Sequence, residues 1–205
     1  MLFGLTLLLC GSARSAHAAD KDSFGHGMQF GVRAGVLGGY NMNFRYDQSP
    51  FCGTYDNAKA PKDQQKVCGS GAPLAMDLAL SFAPLDFIEP YVFMRLGLKG
   101  ESRTDTLPLR VLGLGARIYT MSDSAFKIFI EPAFAWELEG GAGSPAFQRN
   151  NPQYKKDMLL HLAAGPQLDL ARYVGVFVDA GLTTGILRSL HTELELQLGV
   201  QARFP

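Results

Sequence analysis

The sequence is short of the features that mark membrane helices, metal centres and most enzymes. Beyond residue 10, no run is long and apolar enough to cross a bilayer as a helix. A place in a membrane would therefore require a closed barrel, because lipid offers no partner to an unpaired backbone N–H or C=O. Three cysteines and four histidines occur in 205 residues, and no spacing among them matches a zinc site. No phosphate-binding loop or nucleophile elbow is present. The 19 basic and 19 acidic side chains cancel, so the basic surplus that nucleic-acid binding needs is missing. No cofactor, metal or nucleic-acid partner is expected.

What is present is a hydrophobic period of two. In the last segment Leu194, Leu196, Leu198, Val200, Ala202 and Phe204 alternate with Glu193, Glu195, Gln197, Gly199, Gln201 and Arg203. That pattern belongs to a strand with one apolar and one polar face. Similar alternation runs through 28–45, 74–82, 88–99, 112–119, 126–139, 158–169 and 173–183, which makes eight strands of an all-β, antiparallel, up-and-down barrel. In the seventh, Tyr173, Phe177, Asp179 and Thr183 share the polar face. A soluble barrel would turn the apolar faces inward, whereas a transmembrane barrel turns them to lipid and fills its lumen with the polar set. The fourth segment has a weak point. Extending its phase backward puts Arg110 on the lipid side and Leu109 inside. Either Arg110 lies at the membrane interface, at a cost of about 0–1 kcal/mol, or a bulge resets the register.

The connections fall into two classes. Short turns at Pro84–Asp86, Ser122–Ser124 and Ala171–Arg172 follow the even segments. Longer ones follow the odd segments, at 47–72, Gly100–Thr106 and 140–155, although the last, Arg188–His191, is short. Outer-membrane barrels sort their loops this way, with short turns in the periplasm and long loops outside. The two long loops, 47–72 and 140–155, are then the expected surface for an extracellular ligand, since rigid scaffolds commonly present function on loops.

The 23 glycines include many inside the alternating segments, among them Gly31, Gly113, Gly115 and Gly199. Glycine weakens an ordinary strand, but in a small barrel it makes room for bulky lumen side chains on neighbouring strands. Ile88-Glu89-Pro90 recurs as Ile130-Glu131-Pro132, a faint echo of repeated hairpins. Tyr91, Tyr119, Phe126, Tyr173 and Phe204 gather near the expected periplasmic rim and Phe44, Tyr46 and Trp136 near the outer one, in the manner of aromatic girdles, with Tyr91 and Tyr119 on the inward faces of their strands.

The first residues read as a leader. Leu2–Leu9 is apolar, and Ala16-His17-Ala18 fits the small-x-small pattern of signal-peptidase sites. The expected division is a signal peptide at 1–18 and a barrel domain at 19–205. Cys10 follows Leu9, where a lipobox has a small residue, so an ordinary leader cysteine is favoured over a lipidated one. Cys52 and Cys68 remain after cleavage, and an even pair in an exported chain reads as a disulfide. Closing that loop contributes about 3 kcal/mol in the chain-entropy description.

The apolar alternation from Leu196 to Phe204, ending on an aromatic, resembles the C-terminal signal by which outer-membrane barrels are recognised by their assembly machinery. That family usually ends on the aromatic, and here Pro205 follows Phe204. With its leader and eight segments, the mature chain resembles small outer-membrane barrels of the OmpA-like and OmpX-like kind. The resemblance implies an integral outer-membrane location, with membrane lipid and the barrel-assembly machinery as partners and Phe204 as the assembly signal.

Turning the polar faces inward collects Arg33, Arg45, Asp77, Glu89, Arg95, Lys99, Arg117, Lys127, Glu131, Glu137, Asp169, Asp179, Glu193, Glu195 and Arg203 in one interior. Eight strands leave a lumen just wide enough for side chains to fill, and unpaired buried charges are very costly. A paired, closed network is therefore expected, with a narrow ion or small-solute channel as the alternative. Some barrels of this size modify lipids, using a His with a Ser, or His, Asp and Ser together. His161 faces inward, where Glu137 or Glu139 could lie beside it, but Ser81 stands near the other rim and Ser102 and Ser144 lie in loops. No catalytic residue is assigned, and a structural or surface-interaction role is expected.

Overall fold

The computed structural model describes residues 24–44, 58–60, 63, 67–98, 110–139, 157–186 and 191–205. Eight strands run β1 (Gln29–Phe44), β2 (Val67–Ala83), β3 (Ile88–Gly97), β4 (Arg110–Thr120), β5 (Phe126–Glu139), β6 (Met158–Ala171), β7 (Val174–Gly185) and β8 (His191–Phe204). Each is antiparallel to its sequence neighbours, and β1 also pairs with β8, from Phe30 opposite Phe204 to Asn43 opposite His191. Closure leaves no strand edge unpaired, which is what a bilayer demands of a sheet.

The barrel is inverted relative to a soluble one. Leu194, Leu196, Leu198, Val200 and Phe204 stand exposed on its outside, while Glu195, Gln201 and Arg203 between them are buried. The same holds for Val92 and Met94 against Glu89, Tyr91, Phe93 and Arg95 on β3. Most apolar strand residues therefore point away from the interior, the reverse of the soluble barrel weighed above. Among strand residues of described burial, Arg110 alone is a charged side chain exposed on the outward face. Strand lengths of 10 to 17 residues meet the roughly 9–11 tilted residues needed to cross hydrocarbon.

Three register shifts interrupt the ladders. At the β1–β2 pair, Leu37 faces Ala75 but Gly39 faces Ala72, so β2 carries an extra residue around Pro73. A proline lacks the ladder donor and belongs at such a bulge. The extra residue reverses the in–out parity of the first part of β2, and the strand begins at Val67 rather than Leu74. Cys68 and residues 67–72 are consequently strand, not loop. At β4–β5, Arg110 faces Glu139 and Val111 faces Glu137, with Leu138 as the extra residue. Arg110, the first residue of its strand, keeps the outward phase, because the bulge lies opposite it on β5 and does not reset β4. A third shift lies at the end of β6, between Asp169 and Ala171.

The glycines of the wall answer to rings in the lumen. A Cβ at Gly113 would strike Phe93, at Gly115 Tyr91 and at Gly199 Phe177. Each glycine is a slot on one strand that receives an aromatic from the next. At the short-turn rim, Phe30, Phe87, Phe126, Tyr173 and Phe204 are exposed. Tyr91 and Tyr119, near that rim but on the inward faces of their strands, are buried inside. Tyr173, by contrast, is a correction: it lies in the β6–β7 turn, exposed, with the Arg172 guanidinium 5.5 Å from its ring centroid. A residue inside a two-residue turn is not held to the alternation of the strand that follows it.

Candidate functional site

The polar interior is built in layers. At the short-turn end, residues 24–28 enter the mouth ahead of β1. His26 is fully buried, with Nε2 2.9 Å from Asp169 Oδ2 and its ring edge-on to Tyr119 at 4.9 Å. Lys127 donates to the Phe24 carbonyl at 2.7 Å and to Asp169, and its Nζ lies 2.8 Å from His26 Nε2. Asp169 also accepts from Gln167 at 2.7 Å and Arg203 at 3.2 Å. Burial holds the His26 imidazole below its ordinary pKa, opposed by its hydrogen bond to Asp169. Beside this cluster Glu89 accepts from Ser81, from Gln201 at 2.5 Å and from Tyr119 at 2.9 Å.

The next layer is held by one carboxylate. Glu131 Oε2 accepts from Arg117 Nε at 2.6 Å and from Arg33 at 2.9 Å. The Arg117 guanidinium lies over Phe129 at 3.7 Å and Phe177 at 4.4 Å, and Arg33 lies over Tyr91 at 4.2 Å. Stacking suits the planar, weakly hydrated guanidinium, and the rings provide the apolar surroundings that strengthen its ion pair. The repeated Ile-Glu-Pro gains a meaning here. Both glutamates, Glu89 and Glu131, point into the network, and both prolines, Pro90 and Pro132, are exposed on the outward face.

Toward the long-connection end, Arg95 binds two carboxylates. Nε reaches Asp77 at 2.9 Å, while Nη1 and Nη2 reach the two oxygens of Glu195 at 2.7 and 2.8 Å. His161 Nδ1 lies 2.8 Å from Thr183 Oγ1 and 3.7 Å from Glu195 Oε2. The carboxylate beside this histidine is therefore Glu195 of β8. Glu137 and Glu139 do not fill that place, because His161 faces Ala133 across the β5–β6 pair. Thr183 and Glu195 both approach one ring nitrogen, whereas a nucleophile-activating histidine needs them on opposite nitrogens. Between this layer and Glu131 lies a cavity of about 20 Å³ lined by Arg33, Asp77, Tyr91, Arg95, Glu131, His161 and Gln197, room for about one water.

The remaining expected lumen groups are placed as follows. Asp179 and Glu137 are buried, and Glu193 is half-buried near the long-connection end. Arg45, Lys99, Cys52, the leader at 1–18 and the segment 140–155 lie outside the described residues. Phe204 is exposed at the end of β8, paired with Phe30. The described residues contain no group of three or more His, Cys, Asp or Glu that could hold a metal ion. His26 went unnoticed in the sequence, where its only signal is a flanking glycine on each side just before the first strand. The lumen residues Phe93, Val111, Phe129 and Leu159 were also unassigned.

No protein-family model matches the chain, and no curated protein does. Solved structures do. Neisserial surface protein A aligns with a TM-score of 0.55 at 12% identity, over 85% of this chain and 97% of that one. The N-terminal β-barrel domain of Pseudomonas aeruginosa OprF aligns with a TM-score of 0.52 at 10% identity, over 85% and 97%. The outer membrane protein OprG of the same organism aligns with a TM-score of 0.50 at 12% identity, over 89% and 99%. Identities this low speak for architecture, and the architecture is that of the small eight-stranded outer-membrane β-barrels.

Proposed function

We propose that the protein is an integral outer-membrane barrel with a closed, charge-filled lumen, acting as a scaffold that meets an extracellular partner through its long loops. The observation that supports this best is the segregation of side chains: an apolar outer surface broken only by Arg110 among described strand residues, around an interior of paired charges. Burying the outer surface in lipid removes it from water, and the paired interior avoids the cost of isolated charges. In this reading the short-turn end faces the periplasm, and the partner surface is 47–66 with 140–155. The barrel is then a scaffold and not a catalyst, in keeping with Thr183 and Glu195 both approaching Nδ1 of His161.

The test is fractionation followed by SDS electrophoresis without and with boiling. The protein should be extracted from outer membranes only by detergent and should change mobility on heating. Release by salt, or identical mobility in both lanes, would overturn the membrane reading. Deleting the residues between Cys52 and Cys68 should leave the heat shift intact and abolish surface interaction.

A narrow ion path is the second reading, favoured by the cavity between the Glu131 and Arg95 layers. Planar-bilayer recordings of refolded protein would show discrete conductance if the layers open, and silence if the lumen stays closed.

A further inference from the structure

Arg110 opens β4 at the long-connection end and stands exposed on the outward face. Its surroundings there are apolar. Leu96 is its register partner on β3, Leu112 lies one outward step along β4, and Trp136 pairs with Leu112 from β5. Leu98, Leu112, Trp136 and Leu138 are each about half exposed around it. The Trp136 ring is held edge-on to Phe134, with centroids 4.3 Å apart. The lumen carboxylates lie on the far side of the wall, since Val111, the next residue, is buried opposite Glu137.

We propose that Arg110, with the Trp136 indole one outward step below it, binds the phosphate of an anionic lipid in the outer leaflet. The site rests on the membrane reading, which puts the apolar surface in hydrocarbon and the long-connection end outside. A guanidinium on such a face is not held at hydrocarbon depth. Its aliphatic stem lies along the apolar neighbours and its head reaches the interface. The anions met at that depth are lipid phosphates. Their oxygens match the planar fork of a guanidinium through two parallel N–H···O bonds, stronger than contacts between neutral groups. An indole, apolar with a single N–H donor, settles at the same level.

Glu139, the last residue of β5, is the register partner of Arg110 on that side and is also exposed. A single carboxylate engages one edge of a guanidinium and leaves further N–H donors open. Glu139 therefore competes with a lipid phosphate without displacing it, and its removal should strengthen the site.

Trp136 is the chain's only tryptophan, so its fluorescence reports this patch alone. The refolded full barrel is placed in vesicles of phosphatidylcholine mixed with phosphatidic acid, with bromine on the acyl chains of one lipid or of the other. Brominated chains quench an indole that they touch, and the two quenching curves together give the relative occupancy at Trp136. Phosphatidic acid should be preferred about fivefold, the worth of one basic side chain at an anionic lipid surface. Arg110→Gln should abolish the preference, and Arg110→Lys should keep only part of it, because an ammonium lacks the fork. Glu139→Gln should keep or raise it. Equal occupancy in the wild type, or a preference that survives Arg110→Gln, would overturn the site. A full preference in Arg110→Lys would overturn the forked contact. An indole quenched by neither lipid would instead overturn the membrane reading itself.

Discussion

The two halves of the lumen are filled by different means. The short-turn half is packed with a hydrogen-bonded charge network: His26, Lys127, Asp169, Arg203, Glu89, Arg117, Glu131 and Arg33. The long-connection half keeps one arginine between two carboxylates and gives a wall to an apolar wedge of Phe93, Val111, Ala135 and Leu159. The small cavity lies where the two styles meet. A charge network seals a channel because every member is held by several others, so a single defect leaves a buried charge exposed to its neighbours' fields. An apolar wedge fills space at less electrostatic risk but depends on shape. The difference predicts that the first half is sensitive to charge and acid, and the second to volume.

The sharpest way to break this contrast is Arg117→Leu. It removes the stacked guanidinium and leaves Glu131 with Arg33 and the Tyr91 hydroxyl, at an expected cost of about 3–5 kcal/mol. Urea titration of refolded protein, followed by the heat-shifted band, should show the loss. Arg117→Lys should restore only part of it, since an ammonium cannot stack between Phe129 and Phe177. Arg95→Gln, in the other half, should cost less, about 2–3 kcal/mol, because Asp77 and the adjoining cavity are closer to water. A cost equal to that of Arg117→Leu would erase the distinction between the halves.

Gly113→Ala probes the wedge. Its new methyl would meet Phe93 on one side and the Ala135 methyl at 2.7 Å on the other, and overpacking of this kind costs about 1–3 kcal/mol. Pairing it with Phe93→Leu should recover much of the loss, which the same titration would reveal as non-additivity.

The smallest effect is the acid dependence that His26 brings. His26 in the folded barrel binds its proton less readily than an unfolded imidazole, because burial penalises the charge. The unfolded chain is protonated first as pH falls. Stability is therefore full above about pH 6.5 and declines below it, by at most about 1.4 kcal/mol per pH unit for one proton. The His26→Gln barrel should lack this component when stability is measured from pH 7.5 to 5.

Much of the fold was legible because a membrane barrel writes its geometry into alternate residues. The outward faces of β3, β5 and β8 and the connection pattern followed from phase alone, and the charges of those strands fall on the opposite set of positions. Sequence reading went astray where phase is locally suspended. The bulge at Pro73 flips parity, so the first part of β2 looked like loop. Tyr173 sits in a turn that the alternation seemed to include. Phe93, Phe129 and Leu159 are in phase with the inward set, but an apolar residue is naturally assigned to lipid unless a glycine slot opposite it is considered. His26 carried no periodic signal at all, since a residue ahead of the first strand is placed by tertiary contacts and not by a repeat.

The burial of His26 ahead of β1 has a consequence for the order of assembly. His26 finds Lys127 101 residues away and Asp169 143 residues away in sequence, and its other neighbours come from β3, β4 and β8. None of these lie together until the sheet has curled shut, and contacts of such long sequence separation form late. Burial of the His26 ring therefore marks the end of folding: its pocket is complete only in barrels whose first and last strands have met.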